Sequence, residues 1–111
     1  MEIFFKSTKL QKICNSSALL QKAYGKANGS RIRLRLAVLE AADRLSDVPS
    51  TPPERCHLLK GPFAGCFAVD ALQPFRIVFC PTEKFVSKKS GASLQLQKIT
   101  SIIILEVVDY H

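Results

Sequence analysis

The sequence lacks the motifs that identify several common enzyme classes. It has no Gly-rich phosphate-binding loop, no GxSxG motif and no acidic cluster that would hold a metal ion. It therefore does not support a P-loop nucleotide hydrolase, an α/β-hydrolase or a carboxylate-bound metal centre, and we expect neither a metal nor a cofactor. No CxxC pair is present. The four cysteines lie apart among apolar residues, and we interpret them as buried thiols rather than metal ligands or disulfides: Cys14, Cys56, Cys66 and Cys80.

Long apolar runs are also missing. No uninterrupted apolar stretch approaches the roughly 20 residues of a membrane span. The segment Met1–Lys6 has only a short apolar run and no small-residue cleavage site, so it does not resemble a signal peptide. We expect a cytoplasmic protein with no membrane partner. A length of 111 residues with a 47% hydrophobic fraction predicts one folded domain over 1–111.

Acidic residues are scarce relative to basic ones. Nine Asp and Glu stand against 16 Lys and Arg, which gives a formal net charge of +7. For so small a chain this charge indicates a polyanionic partner, either nucleic acid or an acidic protein. A solvated basic surface without a partner is the alternative.

Hydrophobic periodicity predicts a strand, then helices, then a run of strands. This order predicts an α+β fold in which the N-terminal strand and the helices pack on one face of a twisted, mainly antiparallel sheet. In the clearest helix the arginines at its start fall mostly outside the apolar rows, as on a solvated face or on a face that meets RNA phosphates or an acidic partner. The predicted strands cover 3–5, 55–60, 65–70, 74–80 and 99–108. The predicted helices run from Ser7 or Thr8 to Cys14, over 19–24 and from Arg31 to about Ser46, with breaks at 15–17 and 28–30.

Several polar residues are embedded in the strand half of the chain. Arg76 stands inside an apolar run, where an unpaired charge is costly. It must therefore pair with a carboxylate, such as that of Asp70 or Asp109, reach a sheet edge or bind a ligand phosphate. The polar set consists of Arg55, His57, Lys60, Arg76, Asp109, Tyr110 and His111.

These residue types suit RNA cleavage without a metal ion. The ribose 2′-hydroxyl would attack the adjacent phosphate, which needs a base, an acid for the leaving 5′ oxygen and cations for the added charge. Histidine can serve as acid or base near neutral pH. Arginine matches phosphate geometry, and tyrosine can stack on a base or donate a proton. Each residue also has an ordinary structural interpretation, such as a half-buried His57 or a turn at Lys60.

Several stretches of the sequence resemble the RelE/HigB superfamily of toxins from toxin–antitoxin systems, and most closely its HigB-like killer-protein branch. The resemblance covers most of the chain, and its final Asp-Tyr-His after an apolar strand is the most specific part. The stretches are Arg-Cys-His-Leu-Leu-Lys-Gly at 55–61, Gly65-x-Phe67-x-Val69, Pro-Phe-Arg-Ile-Val-Phe at 74–79, the helix at 31–42 and Ile-Ile-Leu-Glu-Val-Val-Asp-Tyr-His at 103–111.

The resemblance implies a small RelE-like domain that enters the ribosomal A site, contacts rRNA and mRNA, and cleaves translated mRNA. It also implies inhibition by a cognate HigA-like helix-turn-helix antitoxin. The residues matched to catalytic positions are His57, Arg76, Asp109, Tyr110 and His111. Lys60 also matches a position of this kind, and Arg55, Lys88 and Lys89 are assigned with it to RNA binding, although the resemblance does not match them to family positions.

The resemblance also implies individual roles. His57 and His111 would be base and acid in either order, and Arg76 with Lys60 would bind the scissile phosphate. Tyr110 would stack on or orient a base, and Asp109 would orient a histidine.

The chain departs from the family pattern in two places. At one turn many members carry charged residues, whereas this chain has the uncharged Pro62-Phe63-Ala64. The connector before the last strand is also long compared with many members, and its lysines, at 84, 88, 89 and 98, either replace the missing charge at ribosomal RNA or are only solvated. This keeps two alternatives open. One is a non-catalytic ParE-like toxin that binds DNA gyrase, and the other is a degenerate toxin that only binds its antitoxin.

Overall fold

The structure is a computed structural model that describes residues 1–82 and 96–109. The predicted α+β fold is confirmed. The predicted residues Lys88, Lys89, Tyr110 and His111 lie outside the described residues. The strands are β1 (Glu2–Phe5), β2 (His57–Leu58), β3 (Phe67–Asp70), β4 (Phe75–Pro81) and β5 (Ser101–Asp109), and the helices are α1 (Thr8–Cys14), α2 (Ser17–Tyr24) and α3 (Lys26–Ala41).

The five strands form one mixed sheet in the order β1-β5-β4-β3-β2. β1 runs parallel to β5, and the other neighbouring pairs are antiparallel. The sheet is therefore mainly antiparallel, as predicted. Because β3, β4 and β5 alternate in direction, the end of β3, the start of β4 and the end of β5 meet at one end of the sheet.

The helices pack on one face of this sheet. Alternate strand residues such as Ile77 and Ile102 are fully buried there against helix residues such as Ile32 and Leu39. Period-2 alternation explains why the intervening residues, such as Val78, form a second apolar cluster on the opposite face. None of the helices in the described ranges is both long and apolar enough to cross a membrane.

Serine side chains cap the first two helices. The Ser7 hydroxyl accepts a hydrogen bond from the Leu10 amide at 3.0 Å, and the Ser16 hydroxyl accepts one from the Leu19 amide at 3.2 Å. Each bond satisfies an amide that has no partner within its helix. The predicted start of α1 at Ser7 or Thr8 is confirmed.

The predicted break at 28–30 is wrong, because α3 runs through it from Lys26. Gly29 is buried, and a Cβ there would lie 2.9 Å from the Leu20 carbonyl carbon in α2. The glycine thus allows α2 and α3 to approach closely, which compensates for its low helix propensity. Asn28 is also buried, and its Oδ1 accepts a hydrogen bond from the Leu72 amide at 3.2 Å.

The predicted orientation and end of α3 also need correction. Arg35, predicted on a solvated face, is 5% exposed, whereas Leu34 is 56% exposed. The helix ends at Ala41 rather than near Ser46, because Ala42 adopts an extended conformation. Periodicity alone assigned the long Arg35 side chain to solvent, but its aliphatic stem passes through the interior to reach the sheet.

The prediction of four buried thiols is wrong for two of the cysteines. Cys66 and Cys80 form a disulfide, whereas Cys14 and Cys56 are half-buried thiols. The strand register explains the bond. Phe67 pairs with Phe79, so the residue before Phe67 lies opposite the residue after Phe79 on the neighbouring strand.

Removing this disulfide should lower the free energy of unfolding. It closes a segment with a sequence separation of 14 residues, and a loop of that size contributes about 2 to 3 kcal/mol by restricting the unfolded chain. A Cys66→Ala/Cys80→Ala variant should show this loss in urea denaturation. Reductant should lower the stability of the natural chain by a similar amount and leave the double variant unchanged. Equal stability of the oxidised and reduced natural chain would contradict the prediction.

Candidate functional site

The carboxylate of Asp70 is the centre of a group of cationic side chains at the end of β3. Asp70 is 3% exposed. Arg55 Nε donates to its Oδ2 at 2.6 Å, Gln73 Nε2 donates to the same oxygen at 3.1 Å, and Arg76 Nε lies 3.4 Å from Oδ1. Arg35 Nε donates to the Asp70 backbone carbonyl at 2.7 Å. These five residues are called the Asp70 cluster below.

Strand pairing determines which residues reach this end of the sheet. Asp70 on β3 pairs with Arg76 on β4, and Arg76 pairs in turn with Val108 on β5. Asp109, the last residue of β5, pairs with Phe75. The predicted residues Arg76 and Asp109 therefore lie at neighbouring positions of adjacent strands.

Arg55 reaches the cluster from outside the regular strands. It precedes β2 and has a φ of +46°, in the left-handed region that non-glycine residues seldom occupy. The chain is held to β3 beside it, since the Asp70 amide donates to the Glu54 carbonyl at 2.8 Å. The Arg55 side chain stays 44% exposed while its Nε contacts Asp70, so this guanidinium is open to a ligand.

His57 lies on β2, where it pairs with Ala68 of β3. Its Nδ1 donates to the Arg55 carbonyl oxygen at 2.6 Å. Because a carbonyl oxygen only accepts, Nδ1 carries the proton and Nε2 is the nitrogen left to exchange one. His57 and Arg55 are thus linked directly, in an orientation that suits acid–base chemistry at Nε2.

The structure does not bring Lys60 to the same place. Lys60 is exposed and comes just before the short 3₁₀ turn Gly61–Phe63. The neighbouring Leu59 amide donates to the Cys66 carbonyl, which puts this part of the chain at the other end of β3 from Asp70. Lys60 therefore does not belong to the Asp70 cluster, contrary to its predicted pairing with Arg76.

The free thiols are poorly suited to nucleophilic chemistry. Burial raises the pKa of both Cys14 and Cys56 to about 11, so little thiolate exists near neutral pH. Burial, with a smaller contribution from Cys14, also raises the pKa of Tyr24, whose ring packs edge-on against Phe75. All three side chains pack against the core on the helix side of the sheet.

The sequence predicts only part of the cluster. It indicates Asp70 only as a possible partner of Arg76, it favours a surface position for Arg35, and it gives no role to Gln73. A lone carboxylate at the end of the apolar stretch Phe67–Val69 was the available signal for Asp70. No comparable signal exists for Arg35, since its contact is with a backbone carbonyl on another element.

The described part of the site brings cationic side chains together with an imidazole. Two guanidinium groups face the Asp70 carboxylate, a third donates to the Asp70 backbone carbonyl, and an imidazole with an oriented Nδ1–H lies on the adjacent strand. This arrangement can bind an anion and exchange a proton beside it. No protein-family model matches the chain, and neither a curated protein nor a solved structure does, so the resemblance to the RelE/HigB superfamily stays a prediction.

Proposed function

We propose that this chain is a translation-inhibiting toxin of RelE/HigB type that cleaves mRNA in the ribosomal A site. The observation that carries the proposal is the pair of guanidinium groups, Arg55 and Arg76, held by the single buried carboxylate of Asp70 beside His57. A fixed pair of arginines is suited to a phosphodiester, because each guanidinium can donate two parallel hydrogen bonds to it.

The reaction is an internal transfer at phosphorus. The 2′ oxygen bonds to the adjacent phosphorus as its proton passes to a base, and the bond from phosphorus to the 5′ oxygen breaks as that oxygen takes a proton from an acid. The products are a 2′,3′-cyclic phosphate end and a 5′-hydroxyl end. Arg76 would stabilise the charge that accumulates on the phosphate oxygens during this step.

His57 would act at Nε2 as base or acid, and His111 would take the other role. Tyr110 would stack on or orient a base, and Asp109 would orient a histidine. The support for the latter roles is the course of β5, which ends at Asp109 beside Phe75 and Arg76. Asp109 thus lies at the same end of the sheet as the Asp70 cluster.

The proposed partners follow from the same charge. A net charge of +7 favours association with ribosomal RNA and mRNA through their phosphates. The proposal includes a cytoplasmic location and neutralisation by a HigA-like helix-turn-helix antitoxin.

Inducing the chain alone in a bacterium and mapping mRNA 5′ ends tests this function. We expect growth arrest and cuts in frame with A-site codons. The same mRNA with its start codon destroyed should stay intact, because cleavage requires translation. Inhibited DNA supercoiling with intact mRNA would instead identify a ParE-like gyrase poison, and unimpaired growth would identify a toxin that has lost its activity.

A further inference from the structure

A second cationic feature adjoins the Asp70 cluster. A cavity of about 300 Å³ opens between the first half of α3, the loop at 52–53 and the turn that links β3 to β4. Arg31, Arg35 and Arg55 line it, and Asp70 is the one acidic residue in its described wall. Three positive charges and one negative charge leave a formal excess of two positive charges around this cavity.

Arg35 makes the excess charge significant. It is 5% exposed, and its Nε donates to the Asp70 backbone carbonyl rather than to a carboxylate. Within residues 1–82 and 96–109, every ion pair involves other side chains. A buried guanidinium with only a neutral acceptor is costly, and an anion in the cavity would compensate for it.

The Asp70 carboxylate does not supply that compensation. Its Oδ2 accepts from Arg55 and Gln73, and its Oδ1 faces Arg76. The carboxylate thus lies between two groups of arginine side chains. Arg76 lies on the sheet side, toward β5, and Arg31 with Arg35 lies on the α3 side, while Arg55 contacts both Asp70 and the cavity.

A phosphate group fits this cavity better than a peptide carboxylate. The excess of two charges suits a group with several anionic oxygens, and planar guanidinium groups bind such oxygens in pairs. A volume of about 300 Å³ is at the lower limit for small-molecule sites, enough for a phosphate with part of its sugar.

We propose that this cavity binds the backbone phosphate of the RNA nucleotide next to the scissile one. The inference rests on RNA being the substrate, as proposed above, but it does not require cleavage. In this arrangement Asp70 lies between two successive phosphate sites, with Arg76 at one and Arg31 and Arg35 at the other.

Arg31→Gln is the variant that tests the site. Arg31 is exposed, so its replacement should leave the fold intact, whereas replacing buried Arg35 could unfold the chain. The probe is a short single-stranded oligoribonucleotide with 2′-O-methyl groups, which binds but has no attacking hydroxyl. Fluorescence anisotropy over a range of salt concentrations gives both the affinity and its salt dependence.

We expect Arg31→Gln to weaken binding about tenfold at low salt, as for a lost hydrogen bond to a charged group. The slope of log affinity against log salt should fall by about 0.7, the contribution of one phosphate contact on a single strand. The matched control is Arg33→Gln, which removes the same charge from the same helix. Arg33 contacts the Ser17 hydroxyl instead, and its replacement should leave the slope unchanged.

Two outcomes would overturn the proposal. Equal losses in the Arg31 and Arg33 variants would show that only overall charge matters. Binding of adenosine monophosphate that depends on Arg31, with oligonucleotide binding unaffected, would assign the cavity to a terminal phosphate. Failure of the nuclease proposal is distinguishable, because a chain that does not cut mRNA on ribosomes can still show the difference in slope.

Discussion

Replacing Arg76 with alanine should lower the rate of ribosome-dependent mRNA cleavage by about 100-fold. Loss of one preorganised donor to a transition-state oxyanion typically costs this much or more. Arg76 lies on β4 opposite Val108, and its Nε is 3.4 Å from Asp70 Oδ1, so an ion pair restricts the guanidinium before the substrate binds. Single-turnover cleavage of mRNA on programmed ribosomes, read by primer extension, measures the effect.

Matched variants separate geometry from charge. Arg76→Lys keeps the positive charge but loses the planar guanidinium group with its paired donors. Its cleavage rate should therefore lie between those of the natural chain and Arg76→Ala. Arg44→Ala removes an arginine whose only pairing in the described ranges is a half-exposed contact with Asp47, and its rate should equal that of the natural chain. Undiminished cleavage by folded Arg76→Ala would remove Arg76 from the site.

The strands and the first two helices could be predicted because their signals are local. Continuous apolar runs rich in β-branched and aromatic residues identify β3, β4 and β5, and a serine before the first helical apolar row identifies the start of α1. The start of α3 could not be predicted. The residue pair Asn28 and Gly29 is typical of a turn, yet the close contact of Gly29 with the α2 backbone keeps both residues helical.

The candidate site was predictable only in part. The position of Arg76 inside an apolar strand indicates that its charge needs a partner. Only the register of β3 and β4 identifies that partner as Asp70. The Cys66–Cys80 disulfide depends on the same register, which no composition or spacing reveals. The contact of Arg35 with the Asp70 carbonyl joins elements far apart in sequence.

Replacing Asp70 with alanine should lower the free energy of unfolding by about 3 to 5 kcal/mol, as for removal of one partner from a buried ion pair. Its side chain is 5% exposed and accepts hydrogen bonds from Arg55 and Gln73, while the Arg76 guanidinium lies beside it. Without the carboxylate, the Arg76 guanidinium, which is 24% exposed, would lose the negative charge that lies beside it. Urea denaturation of the purified variant measures the loss.

The matched control for this prediction is Asp47→Ala. Asp47 also faces an arginine, but its contact with Arg44 spans 4.0 Å and both side chains are 50% exposed, so its loss should cost less than about 1 kcal/mol. An Asp70→Asn variant keeps the shape and hydrogen-bond acceptor while removing the charge, and its stability should lie between those of the natural chain and Asp70→Ala. If Asp70→Ala proved no more destabilising than Asp47→Ala, the arginines would not depend on this carboxylate. The Asp70 carboxylate would then not be what holds Arg55 and Arg76 together, whereas each arginine could still bind RNA separately.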